Sequence, residues 1–387
     1  MVQQRSPYTP GSLAHHLPGR DAQLERVNVH LTNLSLYRQL DGRVHVFVGP
    51  RGVGKTSLLR AVQSDADRRT FTTAWVTGGD TASLAVELAN EFERISKKWT
   101  KTTRQALIAT LKTVRITFGG ASVQLAGSAE RAANPGAARL LQQAMVTAGR
   151  GAVEAGAAGL VVFVDELQSA DPVGIRALAY AWQHMQAEAD DLPAAVFAAG
   201  LGHTQDVVAK AVSFGERFEY GQLTNLDERA ARAALADPAL AVGVAWEPAA
   251  LDLVLAETKG YPQFIQEFGD KMWEAAGYPG PGGVLATAHI PAAMTQFTVA
   301  RNAMFRSRWT AATPAEQKLL IAMAALGEGD IRRKEVADAM GVGTAAIGMA
   351  RQSLMDKGLI EAAARGRMRF TAPGFGGFIR EFVDTAD

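Results

Sequence analysis

One stretch restricts the fold of this chain more than any other: VHVFVGPRGVGKTSLL, from Val44 to Leu59. A β-branched and aromatic run (Val44, Val46, Phe47, Val48) leads into Gly49-Pro50-Arg51-Gly52-Val53-Gly54-Lys55-Thr56, and Ser57 opens an apolar, helix-forming segment. Every fixed position of G-x-x-x-x-G-K-[ST] is met, in the strand, loop, helix order that the motif needs. Glycines at 49, 52 and 54 let the backbone turn tightly, so that successive N–H groups face a phosphate chain at the positive end of the next helix. Lys55 is placed to bridge the β- and γ-phosphates of ATP, and the Thr56 hydroxyl to ligate Mg²⁺. The bland alternative is a glycine-rich turn before a helix; the quality of both flanks argues against it.

A second stretch supplies the acids that such a site needs. Gly159 to Val164 is continuously apolar and ends in Asp165-Glu166. A buried parallel strand reads this way when it delivers carboxylates to the C-terminal edge of a sheet. Asp165, nearest the strand, is placed to hold Mg²⁺ through its water shell. Glu166 is placed to orient or deprotonate an attacking water. In isolation a strand that merely ends in solvated acids would serve as well, and it is the phosphate loop that tips the balance.

The 387 residues suffice for two or three domains, and 48% are hydrophobic, enough for a sizeable core. With no cysteine there is no disulfide framework, thiolate nucleophile or cysteine-based zinc site. A net charge of +1 argues against a surface coated in nucleic acid, while leaving room for a local basic patch. The N-terminal MVQQRSPYTPGSL resembles no signal peptide and the longest apolar run is too short for a bilayer, so a cytoplasmic protein without membrane contact is expected.

In chain order, residues 1–16 read as an extended arm and residues 17–222 as a nucleotide-binding α/β core. Within that core Phe71 to Val76 forms a second strand, and Leu84, Val86, Leu88 and Phe92 lie on a helix. Residues 98–136 read as an insertion whose segment RITFGGASVQL, Arg115 to Leu125, alternates around Gly119-Gly120 as a hairpin does. Pro193 to Ala199 is a further buried strand. Residues 223–283 are alanine-rich and helically spaced, a compact lid ending in the linker Tyr278-Pro279-Gly280-Pro281-Gly282-Gly283.

Residues 284–387 begin with a helix from Ile290 to Trp309. Thr313-Pro314-Ala315-Glu316 is a capping-box start for the next one. Arg332 to Met340, a glycine turn and Thr344 to Lys357 then give helix, turn, helix, and two strands follow around Arg365-Gly366-Arg367. This is the pattern of a winged helix. Arg351 falls on its recognition helix and Arg365, Arg367 and Arg369 on its wing, where double-stranded DNA would be met. Residues 301–387 hold 13 Lys plus Arg against 10 Asp plus Glu, and the recognition helix is mostly small side chains, so a protein-docking module stands beside the DNA reading.

Together, GPRGVGKTSLL, VVFVDELQ, KGYPQF and the terminal TPAEQKLLIAMAAL, RRKEVADAMGVG, SLMDKGLI and RMRFTAP resemble bacterial ATP-binding proteins related to the AAA+ origin-recognition and STAND ATPases. The likeness covers nearly the whole chain except the arm and the insertion. It implies a doubly wound P-loop core with strand order 5-1-4-3-2, a helical lid and a C-terminal winged helix. It further implies that Gly19-Arg20 is an adenine-side box, that Pro262 in Gly-x-Pro packs on adenine, and that Arg217 is an arginine finger acting on ATP held by a neighbour in a nucleotide-dependent homo-oligomer. Read from the residues alone, Gly19-Arg20 is a turn before a helix and Arg217 an ion-pair partner of Glu216 or Glu219. The usual polar sensor after the fourth strand is missing, with His203 the nearest candidate, and Gln263 stands where replication initiators carry a sensor arginine. The resemblance supports two roles: a slowly hydrolysing ATP/ADP switch that engages DNA, or a low-turnover signalling ATPase that works by protein contacts.

Overall fold

The computed structural model describes residues 3–14, 16–79, 82–119, 135–212 and 215–384. They divide into two compact units, one of residues 22–48 and 58–222, the other of residues 1–21, 49–57 and 223–387. No helix among the described residues is long and apolar enough to cross a membrane.

The first unit is built on a parallel five-stranded sheet of β1 (Val44–Val48), β2 (Thr72–Thr77), β3 (Leu160–Asp165), β4 (Ala194–Gly200) and β5 (Phe218–Gln222), in the order β2-β3-β4-β1-β5. Read from the other edge, this is the expected 5-1-4-3-2. β1, β3 and β4 are buried at every residue, as largely apolar strands must be when helices cover both faces, with His45 and Asp165 their polar members. Those helices include α1 (Asp21–Tyr37), α2 (Lys55–Arg68), α3 (Leu84–Ile95), α4 (Lys101–Gly119), α5 (Pro135–Glu154), α6 (Pro172–Glu188) and α7 (Thr204–Ala211). Across one face, Trp75, Phe163, Phe197 and His45 occupy neighbouring register positions. Their rings stack at 5.8, 6.0 and 5.2 Å, so one aromatic row ties four strands together. Arg60 covers its Trp75 end, 3.4 Å from the ring centroid.

The expected hairpin is a correction. Residues 115–119 are the last turn of α4, whose buried Leu107, Leu111, Val114 and Phe118 repeat at helical spacing. That longer period outweighs the five-residue alternation, and Arg115 on the outer side pairs with Glu93 and Asn90 of α3. The remainder of the hairpin segment, from Gly120 on, lies outside the described residues.

In the second unit, α8 (Glu228–Ala241), α9 (Pro248–Thr258) and α10 (Pro262–Ala275) form the helical subdomain. Two short parallel strands, β6 (Ala245–Trp246) and β7 (Val284–Leu285), join it. The Pro/Gly-rich stretch expected as a linker is thus folded back, with Gly282 N–H donating to Gly243 O at 2.7 Å. The described residues of the N-terminal arm form neither helix nor strand, yet the arm is anchored. Tyr8 is 3% exposed, its hydroxyl donates to Leu235 O at 2.5 Å and accepts from Trp246 Nε1 at 2.8 Å, and burial pushes its pKa up.

α11 (Ile290–Thr310) runs on into α12 (Pro314–Leu326), α13 (Arg333–Ala339), α14 (Gly348–Asp356) and α15 (Phe375–Asp384). An antiparallel sheet of β8 (Ile331–Arg332), β9 (Ile360–Ala364) and β10 (Arg367–Phe370) accompanies them in the order β8-β10-β9. The capping box forms as the spacing predicts, Glu316 N–H reaching Thr313 Oγ1 at 3.4 Å and Thr313 N–H reaching Glu316 Oε2 at 2.7 Å. α14 begins four residues later than expected, because Thr344 to Ile347 form a turn.

Glu316 also accepts from Lys357 Nζ at 2.6 Å. Burial works to raise its pKa, but the hydrogen bonds from Lys357, Ser353 and the Thr313 backbone outweigh burial and hold it below the usual carboxylate value. A carboxylate depressed on folding contributes stability that is present above its unfolded pKa of about 4.3 and lost as pH falls. Lys357→Met is therefore expected to destabilise the chain at pH 7 by about 2–4 kcal/mol, since it strands a buried acid, and to do so progressively less below about pH 4. Urea unfolding of both chains across that range measures it; an equal loss at every pH would contradict the pairing.

Candidate functional site

The phosphate-loop residues Gly49 to Ser57 belong to the second unit and lead into α2, which starts at Lys55. Gly52 and Gly54 adopt φ of +78° and +91°, a region open to glycine. A Cβ on Gly49 would lie 2.3 Å from Leu223 O, so that glycine is required by close approach instead. Lys55 is buried, and its Nζ donates to Gly49 O at 3.0 Å and Pro50 O at 2.8 Å. Ser57 Oγ accepts from Ala14 N–H at 3.2 Å, which brings the arm onto the loop.

Three consecutive loop carbonyls are held from outside. Arg51 O accepts from the Tyr261 hydroxyl at 2.7 Å, Gly52 O from Gln263 N–H at 3.2 Å, and Val53 O from Arg20 Nη2 at 3.1 Å. Tyr261 caps α10, and Pro262 is its first residue, where a missing N–H costs nothing. Arg20 donates also to Thr224 O at 2.7 Å; it is buried, which lowers its pKa. The preceding Gly19 turns at φ +74° against Ala230. The structure thus gathers Gly19, Arg20, Pro262 and the loop in one place. It adds two residues that spacing gave no means to find, Tyr261, 210 positions from its partner, and Arg308, whose Nη2 reaches the Tyr261 hydroxyl at 3.4 Å. Arg308 Nη1 is buried without a hydrogen-bond partner among the described residues. The Arg51 side chain runs past Gly358, where a Cβ would stand 3.1 Å from its Cγ and Nε.

In the first unit, Asp165 closes β3 and Glu166 follows in a left-handed conformation, φ +50°. Asp165 Oδ1 accepts from Glu166 N–H at 3.0 Å. A side chain on Gly78, beside them at the end of β2, would meet Glu166 O at 2.4 Å. Gln168 joins two strand ends: its amide donates to Glu166 Oε2, and its Oε1 accepts from Leu201 N–H at 2.9 Å, just past β4. It was missed because a lone glutamine carries no motif. His203, the sensor candidate, is buried at the start of α7. Arg217 is exposed before β5 and donates to Gln186. Glu219 instead pairs with Arg26.

A model of the AAA ATPase domain matches residues 16–197, and a domain of unknown function, DUF8462, matches residues 302–379. Residues 16–197 thus resemble an AAA ATPase domain, and the five-stranded parallel sheet has the P-loop NTPase fold. The chain's fold is also that of a Walker-type ATPase of Pyrococcus abyssi, at 14% identity and a TM-score of 0.59 over 96% of this chain and 98% of that one. The ORC2 protein of Aeropyrum pernix, solved in ADPNP–ADP complexes, is similar at 16% identity and a TM-score of 0.56 over 98% of both chains. No curated protein sequence matches.

C-terminal to the ATPase domain, the four arginines singled out from sequence differ in their surroundings. Arg365 is exposed at the turn between β9 and β10, and Arg351 sits on α14. Arg367 donates to Asp330 O at 3.3 Å. Arg369 is engaged by Glu361 at 2.7 Å and Asp330 at 3.6 Å, so its charge is largely spent within the chain.

The carbonyl clamp is testable. Tyr261→Phe removes the hydroxyl that holds Arg51 O and accepts from Arg308, and leaves the ring, so MgATP should bind about fivefold more weakly, the equivalent of about 1 kcal/mol. Calorimetric titration of both chains reads this, and unchanged affinity would mean that the clamp does not shape the loop.

Proposed function

We propose that the protein is a Mg-ATP-dependent molecular switch in which the phosphate loop reports its occupancy to the lid and the C-terminal subdomain. The supporting observation is the clamp on the Arg51, Gly52 and Val53 carbonyls. In a trans peptide the N–H points opposite to the carbonyl, so holding three carbonyls outward turns the N–H groups of Gly52, Val53 and Gly54 inward, as a phosphate cradle requires. Drawing those N–H groups onto phosphate oxygens then pulls on Tyr261, Gln263 and Arg20. Arg308 and the Arg51–Gly358 contact carry the strain into α11 and the turn before β9.

In this reading Gly49, Pro50, Arg51, Gly52, Val53, Gly54, Lys55, Thr56 and Ser57 bind the phosphates, with Gly19, Arg20 and Pro262 on the base side. Thr56 and Asp165 offer hard oxygen donors that fit Mg²⁺. Bound there, Mg²⁺ would neutralise charge on the triphosphate. Glu166 orients a water, whose oxygen forms a bond to the γ-phosphorus as the bond to the bridging oxygen breaks. Gln168 fixes the Glu166 carboxylate, and ADP and phosphate leave. Arg217, exposed, is available to ATP on a second copy.

For output, exposed Arg365 with Arg351 supports contact with DNA phosphates through a winged helix. A second reading, a slowly turning-over sensor that signals by protein contacts, is favoured by the pairing of Arg369 and by Met349 at the start of α14, which is 88% exposed.

Lys55→Ala should abolish MgATP binding, and Glu166→Gln should retain it while losing turnover by at least about a hundredfold. Normal hydrolysis by Glu166→Gln would remove that residue from the mechanism. For DNA, two phosphate contacts predict a salt slope of about −2 for log K against log salt, approaching zero in Arg351→Ala/Arg365→Ala. Binding that ignores salt, or no duplex stimulation of turnover, would leave the protein-contact reading.

A further inference from the structure

We propose that His30, His45 and Glu219 form a binding site for a transition-metal dication, best suited to Zn²⁺, with Asp41 orienting both imidazoles. One ligand atom from each of the three residues lies within 4.8 Å of the others. All belong to the first unit: His30 on α1, His45 on β1 and Glu219 on β5, directly opposite His45 in the strand register. His45 lies two residues into β1, at the strand end away from Gly49, so the site is separate from the nucleotide chemistry.

The hydrogen bonds set the tautomers. Asp41 sits against His30 Nδ1 at 2.9 Å and His45 Nε2 at 3.1 Å. A carboxylate accepts only, so both nitrogens carry protons toward it, and the lone pairs fall on His30 Nε2 and His45 Nδ1. An acid behind a metal-binding histidine fixes ring orientation and raises basicity in this way. His45 Nδ1 faces Glu219 Oε2 at 3.5 Å. A lone pair and a carboxylate oxygen at that distance call for positive charge between them. At zinc–ligand distances of about 2.0–2.2 Å, tetrahedral ligand atoms stand roughly 3.3–3.6 Å apart, which this pair already meets.

The surroundings are rigid. His45 is only 6% exposed and stacks on Phe197 at the end of the aromatic row, with the His30 ring 4.1 Å away. Arg26 occupies Glu219 Oε1 at 2.8 Å, leaving Oε2 for the ion. His30 and Glu219, at 25% and 26% exposure, leave a solvent side where water completes a tetrahedron. Two imidazoles and one carboxylate suit zinc over the hard cations that ATP chemistry uses.

The test uses the full chain freed of any affinity tag and stripped with chelator, titrated with ZnCl₂ and separately with CoCl₂. One equivalent of each should bind, Co²⁺ should give the visible absorption of a tetrahedral site, and Zn²⁺ should raise Tm. His30→Ala and Glu219→Gln replace partly exposed groups and should fold, with zinc affinity at least about tenfold weaker; Asp41→Asn should weaken it about 10–100-fold. No stoichiometric cobalt spectrum at neutral pH would overturn the proposal, pointing to a proton between His45 and Glu219. Equal zinc affinity in the wild type and a His30→Ala/Glu219→Gln chain would overturn it as well.

Discussion

A peptide plane has two polar ends, and fixing one fixes the other. The outward anchoring of the Arg51, Gly52 and Val53 carbonyls is the interaction on which the phosphate loop depends, because it aims the opposite N–H groups before any ligand arrives. The anchors also explain which glycines are needed, and why. At Gly52 a Cβ would stand 2.2 Å from the Tyr261 hydroxyl, so residue 52 must be glycine for the clamp as much as for its positive φ. Gly260, just before the tyrosine, has the same double need, its missing Cβ lying 2.2 Å from Leu226 O. The loop and the helical subdomain are thus shaped against each other by absent side chains.

What sequence could show here follows the range of the interaction. The phosphate loop, the acidic strand end and the capping box are local patterns, set by residues within a few positions, and each is found as expected. Largely apolar runs of five to seven residues likewise announced the buried strands. The hairpin failed for a related reason. Its alternation covered fewer turns than the stripe of Leu107, Leu111, Val114 and Phe118, and the longer pattern buries more surface. Tyr261, Gln168 and Arg308 were illegible, because each acts through hydrogen bonds to distant or unremarkable partners. The cluster of Asp41, His30, His45 and Glu219 was hidden equally well, since only the pairing of β1 with β5 brings its last member in.

The sheet makes a similar economy with its aromatic row. Stacking Trp75, Phe163, Phe197 and His45 across four strands penalises a one-residue slip in any of them, because a slip turns the ring to the opposite face. Register in turn sets which residues leave the C-terminal edge together: Val48, the residue before the phosphate loop, pairs with Gly200, and Val164, the residue before the acids, pairs with Ala198. The placement of Asp165 and Glu166 is therefore decided well back in the strands.

Charge placement in the C-terminal subdomain limits what its surface can recognise. A phosphate backbone rewards cations that are unpaired before contact, since releasing counterions is what drives binding. Arg369 would first have to give up Glu361 and Asp330, so it contributes little; Arg365, exposed on the turn, has no ion pair to break among the described residues. Apolar Met349 and Val342, both exposed, lie at and before α14 and gain nothing from phosphates. On the proposed DNA reading, a surface of this kind favours weak, salt-dependent contact by a few cations over tight sequence readout. Such an output would suit the proposed switch, because the modest free energy that a clamped loop can transmit would then be enough to tip it.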